Sequence, residues 1–240
     1  ATVVAAFLFS RMGLLRLKVA SVSVLFSTII FLAGGILGTF HHLYFSATPT
    51  AVLALGATFS ALEIVPLVLI GYEAYHNYSL SRSTPWIKAY KWPIYYFIAM
   101  CFWNFLGAGI FGFAINPPIA LYYIQGLNTT AVHGHAALFG VYGILGIGLI
   151  LFVLRGLYPD REWNDKLLGW SFWLINIGLL VMLVGSLLPI GILQAVESIQ
   201  NGYWSARSME FMQTDTMQAI RWLRVPGDSL LAIGELLLVY

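Results

Sequence analysis

Two histidine groups and one carboxylate stand out in a sequence with few ionisable residues. The groups are His41-His42 and His133-Gly134-His135, and the carboxylate is Glu63. All lie within or at the ends of long apolar runs, where ionisable side chains are costly and usually functional. Neutral imidazole is the commonest protein metal ligand, so two such groups at similar depth point to bound metal. Spacing then separates their tasks. Successive helical residues differ by about 100° in direction, so His41 and His42 can both lean onto one ion near a helix end. His133 and His135 differ by about 200° and face opposite sides of their helix. Each therefore needs its own metal partner. One helix between two haems satisfies that, and Gly134 leaves room for flat macrocycles beside the backbone. The plainer alternative is a set of interfacial histidines bonded to water or lipid headgroups.

Glu63 lies in TFSALEIVPLVLI, with no Lys or Arg nearby in sequence. An unpaired carboxylate in hydrocarbon protonates or binds a cation. Pro66 lacks an N–H, so the carbonyl of Leu62 loses its helical donor. With Ser60, that carbonyl makes a small polar patch around Glu63. The alternative is a carboxylic acid hydrogen-bonded between helices. Glu63 stands about 20 Å along its helix from Pro49, so contact with His42 requires a tilted helix or a first span that ends deeper. In RWLRVPGD, residues 221–228, Arg221 and Arg224 carry the charge to meet haem propionates. Asp228 either accepts a hydrogen bond from a ligand hydroxyl or caps the last helix. His76 and Glu73 read as interfacial, and Trp86, Trp92, Trp163 and Trp204 as interface anchors. The single cysteine, Cys101, excludes a disulfide framework and a zinc knuckle.

The elements that must position these residues are membrane spans. Of 240 residues, 60% are hydrophobic and 9% charged, against about a quarter charged in soluble domains. A net charge of +2 is too small for a nucleic-acid face. ATPT at 47–50, SRSTPWIKAYKWP at 81–93, NPP at 116–118 and PDREWNDK at 159–166 punctuate the chain. Between them lie apolar runs near 19–45, 50–78, 93–115, 129–157 and 167–194, each long enough to span a bilayer. The expected fold is an all-α integral membrane helix bundle with about five complete spans. Partial spans are expected over 1–12 and from about 225. The whole of 1–240 reads as one transmembrane fragment, because both ends interrupt apolar runs. The glycine-rich GGILG at 34–38 and GILGIG at 143–148 suit close helix packing. One side of the bundle collects Arg11, Arg16, Lys18, Arg82, Lys88, Lys91, Arg155, Arg161 and Lys166. The other has Arg207, Arg221 and Arg224. Positive residues favour the cytoplasm, which puts both histidine groups toward the periplasmic side of a bacterial inner membrane.

GTFHHLYFSATP, FSALEIVPL and NTTAVHGHAALFG, spanning residues 38–140, resemble the nitric oxide reductases of the haem-copper oxidase superfamily. The likeness continues through RWLRVPGD and is to the C-terminal half of the catalytic subunit, of the quinol-dependent type. It implies two b-type haems, one high-spin and one low-spin, a non-haem iron, and reduction of nitric oxide to nitrous oxide. By the same resemblance, His41 and His42 ligate the non-haem iron with Glu63 beside it. His133 is then the axial ligand of the high-spin haem and His135 one of two axial ligands of the low-spin haem. A third iron histidine and a second low-spin ligand come from preceding helices, on the same or another polypeptide. Quinol is the implied donor and Asp228 a candidate for its proton. The cytochrome-c-dependent type instead pairs a similar subunit with a haem-c subunit. The partners expected are lipid, quinol, nitric oxide and the missing helices, with a homodimer as one arrangement. Competing functions are an oxygen-reducing terminal oxidase, a metal-free transporter or proton channel, and a haem-bearing anchor.

Overall fold

The computed structural model describes residues 38–62 and 85–239, with single positions at 16, 18, 21, 22, 25, 29, 65, 68, 72, 75 and 76. Among these residues the structure is helical, with no strand. A 3-10 turn, Gly38–Leu43, precedes α1 (Thr50–Leu62). Then come α2 (Pro85–Ala89), α3 (Lys91–Ile115), α4 (Pro118–Ile124), α5 (Asn128–Leu157) and α6 (Asp165–Asn201). A second 3-10 turn, Ser205–Arg207, leads to α7 (Met209–Met212), α8 (Asp215–Trp222) and α9 (Arg224–Val239).

Helices α3, α5 and α6 are long and apolar enough to cross a membrane, and they correspond to the expected spans 93–115, 129–157 and 167–194. Helix α1 forms the first part of the expected span 50–78, whereas the expected spans 1–12 and 19–45 fall largely outside the described residues. Local chemistry sets the boundaries. The Asn164 side chain accepts from the N–H groups of Lys166 and Leu167, both at 3.2 Å, and starts α6. Pro118 opens α4, where its missing N–H is not needed. Helix α6 ends at Asn201, beyond the expected end at 194. Gln194 at the expected end and Ser198 in the added stretch are buried; hydropathy treats them as an end, but protein hydrogen bonds satisfy them.

Three stretches widen to π-helix: Asn104–Phe111 in α3, Leu138–Gly143 in α5 and Leu183–Leu187 in α6. The last has a clear cause. Pro189 follows it, and a proline ring mid-helix clashes with the carbonyl four residues back, here that of Gly185. A wider turn removes the clash without breaking the helix.

The chain forms two compact units, 1–118 with 137–161, and 119–136 with 162–240. In the first, α3 packs on the later part of α5. Ile94, Tyr96, Phe97, Met100 and Trp103 are buried there. A Cβ at Gly148 would lie 2.7 Å from the Phe97 ring, and one at Gly140 2.8 Å from the Trp103 side chain. Side chains that large reach the facing helix only because the glycines make room.

In the second unit, α6 and α9 run antiparallel. Ile175 meets Gly234, Gly178 meets Leu231 and Met182 meets Gly227. A Cβ at Gly178 would lie 2.6 Å from the Leu231 nitrogen, so the two backbones touch. Close approach through small residues is how membrane helices gain dispersion energy when lipid offers no hydrophobic drive.

Candidate functional site

His133 and His135 lie in the opening turns of α5, between the buried residues Val132 and Ala136, and both are half-buried. Regular helical geometry keeps them on opposite faces. His135 Nδ1 is 2.8 Å from the carbonyl of Ala131. A carbonyl only accepts, so Nδ1 carries the proton and Nε2 presents a lone pair. That lone pair faces Arg224, whose Nη2 donates to Nε2 at 3.3 Å. Arg224 Nε also donates to Asp228, at 2.9 Å to Oδ2 and 3.3 Å to Oδ1. The Arg224–Asp228 pair is partly exposed, 40% and 46%, so it is worth at most about 1 kcal/mol.

The start of the histidine helix is held from several directions. Gln194 Oε1 accepts from the backbone N–H of Asn128 at 2.9 Å and from Asn128 Nδ2 at 2.8 Å. Gln194 Nε2 donates to the Ala206 carbonyl at 3.1 Å. Ser198 Oγ donates to the Tyr123 carbonyl at 2.7 Å, and Tyr203 Oη to the Gln125 carbonyl at 3.0 Å. Arg207 donates to the carbonyls of Gln125 and Tyr203 and stacks 3.5 Å from the Tyr203 ring centroid. Partial desolvation lowers the Arg207 pKa from its ordinary value, and Tyr203 pulls it back up. Gly126, at φ 71°, makes the turn that lets this loop enter α5.

The other candidates lie on other elements. His41 and His42 are consecutive in the 3-10 turn Gly38–Leu43, and His42 is exposed. Glu63 lies outside the described residues. Ser60 Oγ accepts from Asn116 Nδ2 at 3.0 Å. Arg221 is exposed near the end of α8. His76 is exposed and stacks with Tyr72, centroids 6.3 Å apart. Among the described residues, no three His, Cys, Asp or Glu side chains converge as a metal set. Asp228 does not cap the last helix. It is the fifth residue of α9, because Pro226 sits in the first turn rather than before it.

These residues fit a haem at His135 provided Arg224, which now donates to Nε2, gives up that contact. An imidazole whose Nδ1–H is tied to a carbonyl has a fixed tautomer and ring orientation, the arrangement usual for metal-bound histidine. Arg224 places a cation beside it, suited to a carboxylate-bearing macrocycle. A Cβ at Gly134 would meet nothing within 4 Å, so the backbone is open to a flat ligand there. The anchoring residues Gln194 and Arg207 were the part that sequence reasoning missed. The available signal for Gln194 was an amide flanked by apolar residues in GILQAV.

Comparison with known proteins identifies the frame in which these residues sit. The sequence matches the family Cytochrome C and Quinol oxidase polypeptide I over residues 1–230. The chain belongs to this family. Haem-copper oxidases of this kind are membrane oxidoreductases that depend on haem. A nitric oxide reductase subunit of Stutzerimonas stutzeri is 32% identical over 213 residues, 86% of this chain and 43% of that protein. A bacteroid cytochrome c oxidase subunit 1 homologue from Bradyrhizobium diazoefficiens is 25% identical over 213 residues, 83% of this chain and 36% of that protein. A subunit 1 homologue from Azorhizobium caulinodans is 26% identical over 208 residues, with the same coverage. The chain thus spans less than half the length of the curated relatives it matches.

Proposed function

We propose that this region belongs to an enzyme that reduces nitric oxide to nitrous oxide with electrons from quinol, in the bacterial inner membrane. The observation that carries the reading is the 32% identity to a nitric oxide reductase subunit, against 25% over the same length for an oxidase homologue. Quinol yields two electrons and two protons; with two nitric oxide molecules these give nitrous oxide and water, leaving quinone. Two b-type haems and a non-haem iron would supply the electron transfer and the site at which nitric oxide is activated.

The chain's own residues divide the supporting work. His135 Nε2, oriented by the Ala131 carbonyl, would hold the low-spin haem, and His133 on the opposite face the high-spin one. His41 and His42, with Glu63, would hold the non-haem iron. Arg224 and Arg221 would pair with haem carboxylates; for Arg224 this means exchanging its present partner Asp228. Asp228 would take a quinol proton as the electron leaves.

The test is made on the full polypeptide containing this region, purified from membranes. Two b-type haems, one iron beyond them, and quinol-dependent nitrous oxide production are expected. Oxygen uptake without nitrous oxide would replace the reading with a terminal oxidase, which the two oxidase homologues favour. Absence of haem bands would leave a metal-free membrane function.

A further inference from the structure

The geometry points to Gln194 as a positioning residue that sets the depth and rotation of the His133/His135 helix, and so the geometry of the haem at His135. The inference rests on the haem assignment above. Gln194 is 4% exposed, and both ends of its amide are used. Its oxygen accepts twice from Asn128, the first residue of α5, at 2.9 and 2.8 Å. Its nitrogen reaches the Ala206 carbonyl at 3.1 Å and the Met212 sulfur at 3.3 Å. The amide thus has one orientation, because turning it over would set oxygen against carbonyl and nitrogen against two N–H donors.

A second contact acts at the same level. A Cβ at Gly191 would lie 2.5 Å from the Thr129 nitrogen and 3.0 Å from the Asn128 carbonyl carbon. Helix α6 therefore touches the α5 backbone one turn before Gln194 binds it. One contact limits approach; the other fixes rotation and slip. His135 lies seven residues beyond Asn128, about 10 Å along a helix at 1.5 Å per residue. A slip of one residue would turn its imidazole by about 100°. Small rotations at Asn128 therefore appear directly in the imidazole plane. Gln194 itself is satisfied by protein at all four of these contacts, so its effect on a haem passes through the α5 backbone.

The experiment is low-temperature electron paramagnetic resonance of the ferric low-spin haem in the full purified protein. Its g-values report the angle between axial ligand planes and require no turnover. Gln194→Met keeps volume and removes the bonds to Asn128; it should shift the g-values and broaden the low-spin signal. Asn128→Ala removes only the side-chain donor and should shift them less in the same direction. Gln194→Glu keeps the acceptor for Asn128 but sets an oxygen against the Ala206 carbonyl, so its g-values should lie between those of Gln194→Met and the unaltered protein. A structural role alone predicts lower yield of protein and haem together, with unchanged g-values in what remains. Unchanged g-values in folded Gln194→Met would overturn the inference. If Gln194→Met does not fold, unchanged g-values in Asn128→Ala would do so. A protein with intact g-value shifts but no nitric oxide turnover would sustain the inference and refute the proposed reaction. A purified protein without haem would overturn both.

Discussion

Replacing Gly134 by alanine has opposite expected effects with and without bound haem. In the polypeptide alone, a Cβ there meets nothing within 4 Å, and Gly134 lies inside the helical stretch Asn128–Ala137. Alanine then gains only helix propensity, roughly 0.5–1 kcal/mol. That corresponds to about a 2–5-fold gain in the folding equilibrium, since 1.4 kcal/mol is tenfold. If macrocycles lie against residue 134, the same methyl meets a rigid ring plane. Overpacking against a rigid neighbour typically costs about 1–3 kcal/mol, which offsets the gain and reverses its sign. The assay compares Gly134→Ala with the unaltered protein, produced in haem-replete and haem-deficient cells. Thermal unfolding in detergent reads stability, and pyridine haemochrome analysis reads haem per protein. The expected result is a higher melting temperature without haem and a lower one with it, accompanied by reduced haem content. Full haem occupancy with a raised melting temperature in both preparations would refute the placement of haem beside Gly134.

Three further outcomes follow from the same geometry. Gly178→Ala puts a Cβ 2.6 Å from the Leu231 nitrogen where ordinary contact begins at 3.4 Å, so α6 and α9 must separate by nearly 1 Å; a loss of about 1–3 kcal/mol is expected in detergent unfolding, whereas Gly146→Ala, which meets nothing, should gain about 0.5–1 kcal/mol from helix propensity. Asp228→Asn keeps a hydrogen-bond acceptor for Arg224 and removes the charge, so stability should change by less than about 1 kcal/mol; quinol-driven turnover should fall by about 10²-fold or more while turnover with an artificial donor stays near normal, and equal effects on both donors would return Asp228 to a purely structural part. His41→Ala or His42→Ala should lose the non-haem iron and keep both haems, measured as metal per haem.

Apolar length made α3, α5 and α6 legible in the sequence, because a bilayer demands it. What hydropathy does not encode is which glycine faces a neighbour. Within GILGIG, Gly148 receives Phe97 while Gly146 faces open space, and the closest backbone contacts come from the isolated glycines 178, 191 and 227. The π-helical turns were invisible for a similar reason: only the one before Pro189 has a residue that announces it. In sequence, RVPGD resembles a loop entering a helix, which makes Asp228 a candidate cap. The helix begins four residues earlier, with Pro226 tolerated in its first turn. The opposed placement of His133 and His135 was readable from spacing alone. Their tethering through Asn128, Gln194 and Ala206 was not, since it joins residues 66 and 12 positions apart.

Those separations impose an order on biosynthesis. Gln194 emerges 66 residues after Asn128, and Arg224 89 residues after His135. At about 5–20 residues per second, the first interval is roughly 3–13 s. During it the leading N–H groups of α5 must be served by water or the insertion machinery, and His135 has no arginine beside it. The nascent histidine helix therefore enters the membrane before its fixed depth is available, and it acquires that depth only when α6 and the residues after it have been translated.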